Sequence, residues 1–283
     1  MTGAFLRAAI VAGLALASLP AAAEPTQLKS GQFRLNGNLE LPAGKKVADG
    51  VALILHGTLS HARHETVTAL QENLQKRGIG SLAITLSLGI DNREGPRACG
   101  LLHDYALAGA QREVAAWMAW LRADGAQTID LIGFSRGGAQ IAAIAPKLSR
   151  VGHVVLMAPA FATKDEQAAN YQRSFGHPLA EPLEAAGKSP LQKFTADFLL
   201  CKDAPVLGVT FLDAYQEMLP QLAAETTHPT LVVVAGKDEI VPDLEKKLPS
   251  QVQKVVIDGS GHFFPDLYGE DAADAIAKFL KNE

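Results

Sequence analysis

Residues 129–138 read Ile129-Asp130-Leu131-Ile132-Gly133-Phe134-Ser135-Arg136-Gly137-Gly138. The first six have the apolar character of a buried strand, and the glycines that follow interrupt it. A helix is expected from about Gly137, short or kinked because Pro146 cannot continue its hydrogen-bond ladder. A strand passing abruptly into a helix through Gly-x-Ser-x-Gly leaves the serine hydroxyl clear at the strand's carboxyl end. Alone the pentapeptide is a weak signal. A glycine-rich turn whose serine only caps the helix would read the same way.

The flanking sequence supplies the context. Val51–Leu55 is a continuous apolar run, as in a strand covered on both faces. A helix is expected over about 64–77, ended by Gly78, then a strand from Ser81 to Leu88. A long helix is expected from about Tyr105 to Arg122, with Asp104 as N-cap, Gly125 as stop, and Ala110, Val114, Trp117, Met118 and Leu121 on one stripe. Val154–Met157, Leu231–Val234 and Val252–Ile257 read as further strands, and a closing helix runs from about Asp266 to Leu280. This alternation predicts an α/β fold with a mostly parallel twisted sheet and helices on both faces. Upstream, Phe33 to Leu41 alternates apolar and polar residues around Asn36-Gly37 and reads as a hairpin or a bent edge strand. Between Phe161 and about Val209 the pattern breaks at Pro178, Pro182, Pro190 and Pro205, with no clean strand. Residues 161–215 hold seven of the chain's 17 aromatics, so the insertion, about 161–209, is expected to be a helical cap packed over the sheet by an apolar inner face.

The whole chain has 283 residues, 48% hydrophobic and 20% charged, which suits a globular protein and excludes a disordered or collagen-like one. Its net charge of -4 gives no reason to expect nucleic acid or an anionic membrane surface as partner. At the start, Arg7 precedes an apolar run from Ala8 to Leu19 and small residues at Ala21 and Ala23. That three-part pattern predicts a secretory signal peptide, residues 1–23, cut after Ala23, so that the working domain is 24–283 and the protein is periplasmic or secreted. The apolar run falls short of the roughly 20 residues of a membrane span, so no stable insertion is expected. Export makes a disulfide between Cys99 and Cys201 plausible, with two separate buried thiols as the alternative. Nothing in the sequence sets the oligomeric state.

A serine hydroxyl becomes a nucleophile only when a base takes its proton and an acid orients the base. His262 lies beyond the last strand, in a glycine-bearing loop, Asp258-Gly259-Ser260-Gly261-His262. Asp238 follows the strand Leu231–Val234 and so sits at a strand's carboxyl end, where ligands bind in open α/β sheets. Each has a plain reading, Asp238 as a turn former and His262 as a surface histidine. The order serine, acid, histidine at three strand ends favours the catalytic one. An oxyanion would need backbone N–H donors, for which Arg136 and Thr58 are the candidates, with Leu59 next to Thr58. His56, His61 and His64 lack the spacing of a compact zinc site, and no metal or cofactor is expected. His103 and His153 read as structural.

On Leu55-His56-Gly57-Thr58, Gly133–Gly137, Gly236–Pro242 and Gly261-His262-Phe263, the chain resembles the α/β-hydrolase superfamily over residues 31–283. The resemblance implies Ser135, Asp238 and His262 as triad and the amides of Thr58 and Arg136 as oxyanion hole. It implies a serine hydrolase acting on a small-molecule carboxylic ester through an acyl-enzyme. An amidase, thioesterase or acyltransferase would use the same residues, and a non-catalytic binding protein could use the same scaffold. Arg136 departs from the small or apolar residue common at that position. It is read either as a salt-bridge partner within the fold or as a residue favouring an anionic substrate.

Overall fold

The computed structural model describes residues 24–217 and 228–282, so the expected signal peptide, residues 1–23, lies outside the described residues. The strands of the main sheet are β1 (Glu24–Ser30), β2 (Phe33–Glu40), β3 (Val51–Leu55), β4 (Gly80–Thr85), β5 (Ile129–Phe134), β6 (Val151–Met157), β9 (Thr230–Ala235) and β10 (Gln253–Ile257). A second pair, β7 (Lys193–Phe198) and β8 (Cys201–Leu207), stands apart. The main sheet runs β1-β2-β4-β3-β5-β6-β9-β10. β2 is antiparallel to both β1 and β4, and every later pairing is parallel.

Helices α1 (Glu65–Lys76), α2 (Leu107–Ala123) and α3 (Arg136–Ile144) follow β3, β4 and β5. The insertion holds α4 (Lys164–Phe175), α5 (Ala180–Lys188) and α6 (Gly208–Ala214), a single turn α7 (Leu244–Lys247) follows β9, and α8 (Leu267–Leu280) closes the chain. Parallel strands with crossovers leave both sheet faces covered, and β3 shows it residue by residue. Leu53 and Leu55 pack in the cluster that contains Trp117 of α2 and Ile141 of α3. Ile54, pointing the other way, packs in the cluster that contains Leu74 of α1 and Ile276 of α8. The expected stripe of α2 is buried throughout. No helix among the described residues is long and apolar enough to cross a membrane.

Three expectations are corrected. Asn36-Gly37 is not a turn but the middle of β2, paired on both sides, while the reversal falls at Gly31-Gln32 with Gly31 at φ 58°. Glycine suits position 37 because a Cβ there would lie 3.1 Å from the Ala83 carbonyl and 3.3 Å from the Trp117 ring. Asp104 does not cap α2. The helix begins at Leu107, whose N–H donates 2.8 Å to Asp213 Oδ2 from the insertion. The insertion is not wholly helical either, since β7 and β8 form an antiparallel hairpin there. Pro205 is tolerated in β8 because what this position supplies is its carbonyl, which accepts from His103 N–H at 2.8 Å.

The insertion packs on its own aromatic residues, Phe198 against Phe211 at 5.8 Å and Tyr171 against Tyr215 at 5.6 Å between ring centroids, in one cluster with the α2 and α3 side of the sheet. Cys99 and Cys201 are joined in a disulfide with their Cα atoms 5.3 Å apart, closing a separation of 102 residues. A loop that long carries roughly 4.7 kcal/mol of closure entropy in the unfolded chain by chain-entropy reckoning. Beside the disulfide, His103 and Val206 form a bridge, so the loop after β4 and the insertion are held together by covalent and backbone bonds.

Candidate active site

Ser135 follows β5 directly, at φ 54° and ψ −121°. That conformation is sparsely populated for any residue with a side chain and costs on the order of 1–3 kcal/mol. The surroundings enforce it. Ser135 N–H donates to the Met157 carbonyl at 2.9 Å, and its own carbonyl accepts from the amides of Gly138, Ala139 and Ala160. The flanking glycines are sterically required: a Cβ on Gly133 would lie 2.4 Å from the Gly137 carbonyl oxygen, and one on Gly137 would lie 2.4 Å from that of His56. The helix α3 then ends early and passes into a single 3-10 turn at Ala145–Lys147, where Pro146 sits.

β9 and β10 lie on the far side of β6 from β5, so their loops must lean back to reach Ser135. Backbone bonds hold them there: Gly236 N–H donates to the Ile257 carbonyl, and Lys237 N–H donates 2.7 Å to that of Ser260. Asp238 Oδ1 accepts from the amides of Ile240 at 2.9 Å and Val241 at 2.7 Å, which fixes the carboxylate. Its Oδ2 lies 2.8 Å from His262 Nδ1, and His262 Nε2 lies 2.9 Å from Ser135 Oγ. All three side chains are buried. Burial by itself would raise the Asp238 carboxyl. The hydrogen bonds from His262 and the two amides, with the imidazole's charge, outweigh it and hold Asp238 below the usual carboxylate range. An ionised Asp238 on Nδ1 selects the tautomer with its proton there and leaves Nε2 free to accept from the serine.

Gly57 passes over the same hydroxyl. A Cβ there would be 3.2 Å from Ser135 Cβ and 3.6 Å from Oγ. Ser60 N–H bonds the Gly57 carbonyl across a turn in which Leu59 takes φ 53°. Within that turn neither Thr58 N–H nor, across from it, Arg136 N–H has an acceptor among the described residues. His56 anchors the turn: Nδ1 donates to the Gly57 carbonyl at 2.8 Å, and Nε2 accepts from Leu86 N–H and from Arg93, each at 3.2 Å. Burial and the neighbouring Arg93 charge push the His56 imidazole down to about 3. His61 and His64 are occupied locally, accepting from the amides of Arg63 and Thr66, the latter as the cap of α1.

A family model described as the alpha/beta hydrolase family matches residues 52–279. The chain belongs to the alpha/beta hydrolase family. No curated protein matches it in sequence. Among solved structures, this alpha/beta hydrolase is similar to Est1E from Butyrivibrio proteoclasticus, at 20% identity and TM-score 0.63 over 91% of this chain and 98% of that one. Est1E with bound ferulic acid gives 18% identity and TM-score 0.68 over the same shares. The Pyrococcus furiosus esterase Pf2001 gives 17% identity and TM-score 0.60 over 92% of this chain and 90% of that one. At these identities the likeness is one of fold.

The structure of the hydrolase thus brings Ser135, Asp238 and His262 together and sets the Thr58 turn and the Arg136 amide beside them. The Arg136 side chain does not form the ion pair that was one of its two readings. Its Nη2 donates to the Ala214 carbonyl at 3.2 Å, at the end of α6, and no carboxylate pairs with it among the described residues. Two supporting groups escaped the sequence. Arg93 braces the loop after β4 by donating to the Leu86, Ser60 and Gly95 carbonyls, and Glu239 Oε2 accepts from His262 N–H at 3.3 Å. The Ser60 carbonyl and the His262 amide, which help define these roles, lie 33 and 23 residues away in sequence. A cleft of about 540 Å³ is lined by Leu86, Ser87, Tyr105, Glu113 and Gln140 among others but by none of the three site residues.

Proposed function

We propose that this protein is an exported serine esterase. Ser135 Oγ attacks the ester carbonyl carbon while its proton passes to His262 Nε2. The tetrahedral oxyanion is held by the N–H groups of Thr58 and Arg136, each donor worth roughly 3–4 kcal/mol in such sites. Collapse breaks the carbon–oxygen bond to the alcohol, which leaves with the proton from Nε2, and the acyl group stays on Ser135. Water then repeats the sequence, releasing the acid and restoring the serine. Asp238 remains a carboxylate throughout and stabilises the imidazolium.

The observation that carries this reading is the unbroken run from Asp238 Oδ2 to His262 to Ser135 Oγ, at 2.8 and 2.9 Å. An ester is favoured over an amide because an alcohol leaves more readily than an amine. An aromatic or lipid-like acyl group suits an insertion rich in buried aromatics, and one structural neighbour holds ferulic acid. Export is supported by the leader-like residues 1–23 and by the paired cysteines, which suit an oxidising compartment.

Labelling with a fluorophosphonate tests the core of the proposal. Wild type is expected to label and to hydrolyse 4-nitrophenyl esters, and Ser135→Ala to do neither. Labelling that persists in Ser135→Ala, or fails in a folded wild type, overturns the assignment. Mass analysis of the exported protein is expected to give Glu24 as first residue.

A further inference from the structure

Arg93, Arg97 and Arg136 all act on the phenol of Tyr105, which burial pushes up to about 12 against their opposing charge. Arg93 is satisfied by three carbonyls and His56. Arg97 is not, and Arg136 is half-buried. Arg97 is 4% exposed, and its Nη2 donates to the Leu102 carbonyl, yet Nε and Nη1 are buried with no partner among the described residues. Arg136 has the single bond to Ala214. The carboxylates nearest in effect are engaged elsewhere or in solvent: Asp213 accepts from Leu107 N–H, and Asp104 is exposed.

A buried guanidinium with unused donors is costly unless something negative completes it. Both residues are tied through their main chain to the reaction centre. Arg136 is the residue after Ser135, and Arg97 N–H donates 2.8 Å to the Leu59 carbonyl in the turn that carries Thr58. The Arg97 guanidinium lies 5.9 Å from the centroid of the Tyr105 ring. We propose that Arg97 and Arg136, with Tyr105 beside them, bind a carboxylate of the substrate, so that the preferred ester carries a negative charge a few atoms from the bond that is cut. This rests on the esterase reading and names its substrate class. A guanidinium presents its N–H groups as a planar fork that matches a carboxylate and would use the donors the protein leaves open.

The test compares two esters of equal chain length, mono-4-nitrophenyl glutarate and 4-nitrophenyl valerate, on the full folded protein. Wild type is expected to favour the charged ester in kcat/KM by about tenfold or more, the value of a charge-assisted hydrogen bond. Free glutarate should compete, and the preference should shrink as salt is raised. Arg97→Gln is expected to collapse the ratio of the two rates, with Arg97→Lys keeping part of it. A wild-type ratio near or below one overturns the proposal, as does a ratio unchanged in a folded Arg97→Gln. Should that variant not fold, the wild-type ratio and glutarate competition decide. Fluorophosphonate labelling with a ratio near one removes only the carboxylate site, whereas no labelling and no turnover of either ester removes the esterase reading together with it.

Discussion

At the carboxyl edge of the sheet, each chemical group is fixed by backbone: Ser135 by four main-chain bonds, Asp238 by the amides of Ile240 and Val241, and the histidine loop by Ser260. The insertion between β6 and β9 is built the other way. Its helices and hairpin are held by ring contacts among Tyr171, Phe198, Phe211 and Tyr215, by one disulfide and by the bridge from His103. The first region is determined by local geometry that few sequences permit. The second is determined by packing that many sequences could supply. The proposed chemistry, which demands placement to a fraction of an ångström, draws on the former.

The comparison can be broken most forcefully at the edge. Ser135→Ala should lower kcat on the order of 10⁶-fold, as removal of a serine nucleophile does elsewhere, with circular dichroism and melting unchanged. Asp238→Asn should cost roughly 10⁴-fold, because an amide no longer selects the imidazole tautomer that accepts the serine proton. A smaller loss would mean that Glu239 or another group orients His262. In the insertion the effects should move from rate to stability. Cys99→Ser combined with Cys201→Ser should lower unfolding free energy by about 2–4 kcal/mol in urea titrations, while neutral-ester turnover at 25 °C changes only several-fold. A loss of turnover comparable to that of Asp238→Asn would erase the distinction between the two regions.

An effect that is small near neutral pH tests the comparison from the side of the Thr58 turn. His56 takes a proton near 6.5 in the unfolded chain and only near about 3 when folded, first through burial and then through the Arg93 charge. Between those values the unfolded state binds the extra proton. Stability is therefore full above pH 6.5 and falls on acidification, by up to about 1.4 kcal/mol per pH unit from this group. The imidazole signal of His56 in an NMR titration should stay in its neutral position through pH 5. A midpoint near 6.5 would show the ring to be open to water and the turn unbraced.

Much of the edge was legible in the sequence because its constraints are short-range. An apolar run before Gly133, the glycines around Ser135, and an aspartate and a histidine each after a strand carry their meaning within a few residues. What escaped depends on partners far along the chain. Asn36-Gly37 has the composition of a turn, yet its neighbours in β1 and β4 hold it straight. Asp104 has the chemistry of a helix cap, but Asp213 of the insertion reaches the first amide of α2 instead. Pro205 was read as a break, although its place in β8 draws on the carbonyl. Arg136 left two readings open because ion pairing is decided by what stands opposite, and Ala214 stands there.

The staple between Cys99 and Cys201 also bears on traffic. Cys99 lies two residues beyond Arg97, and Cys201 opens the second strand of the insertion's hairpin. Any swing of that hairpin would drag the arginine loop with it and disturb the turn at Leu59. For the esterase proposed above, passage of substrate beside the Leu59 turn is then coupled to this staple, and reducing it should loosen hairpin, arginine loop and turn together.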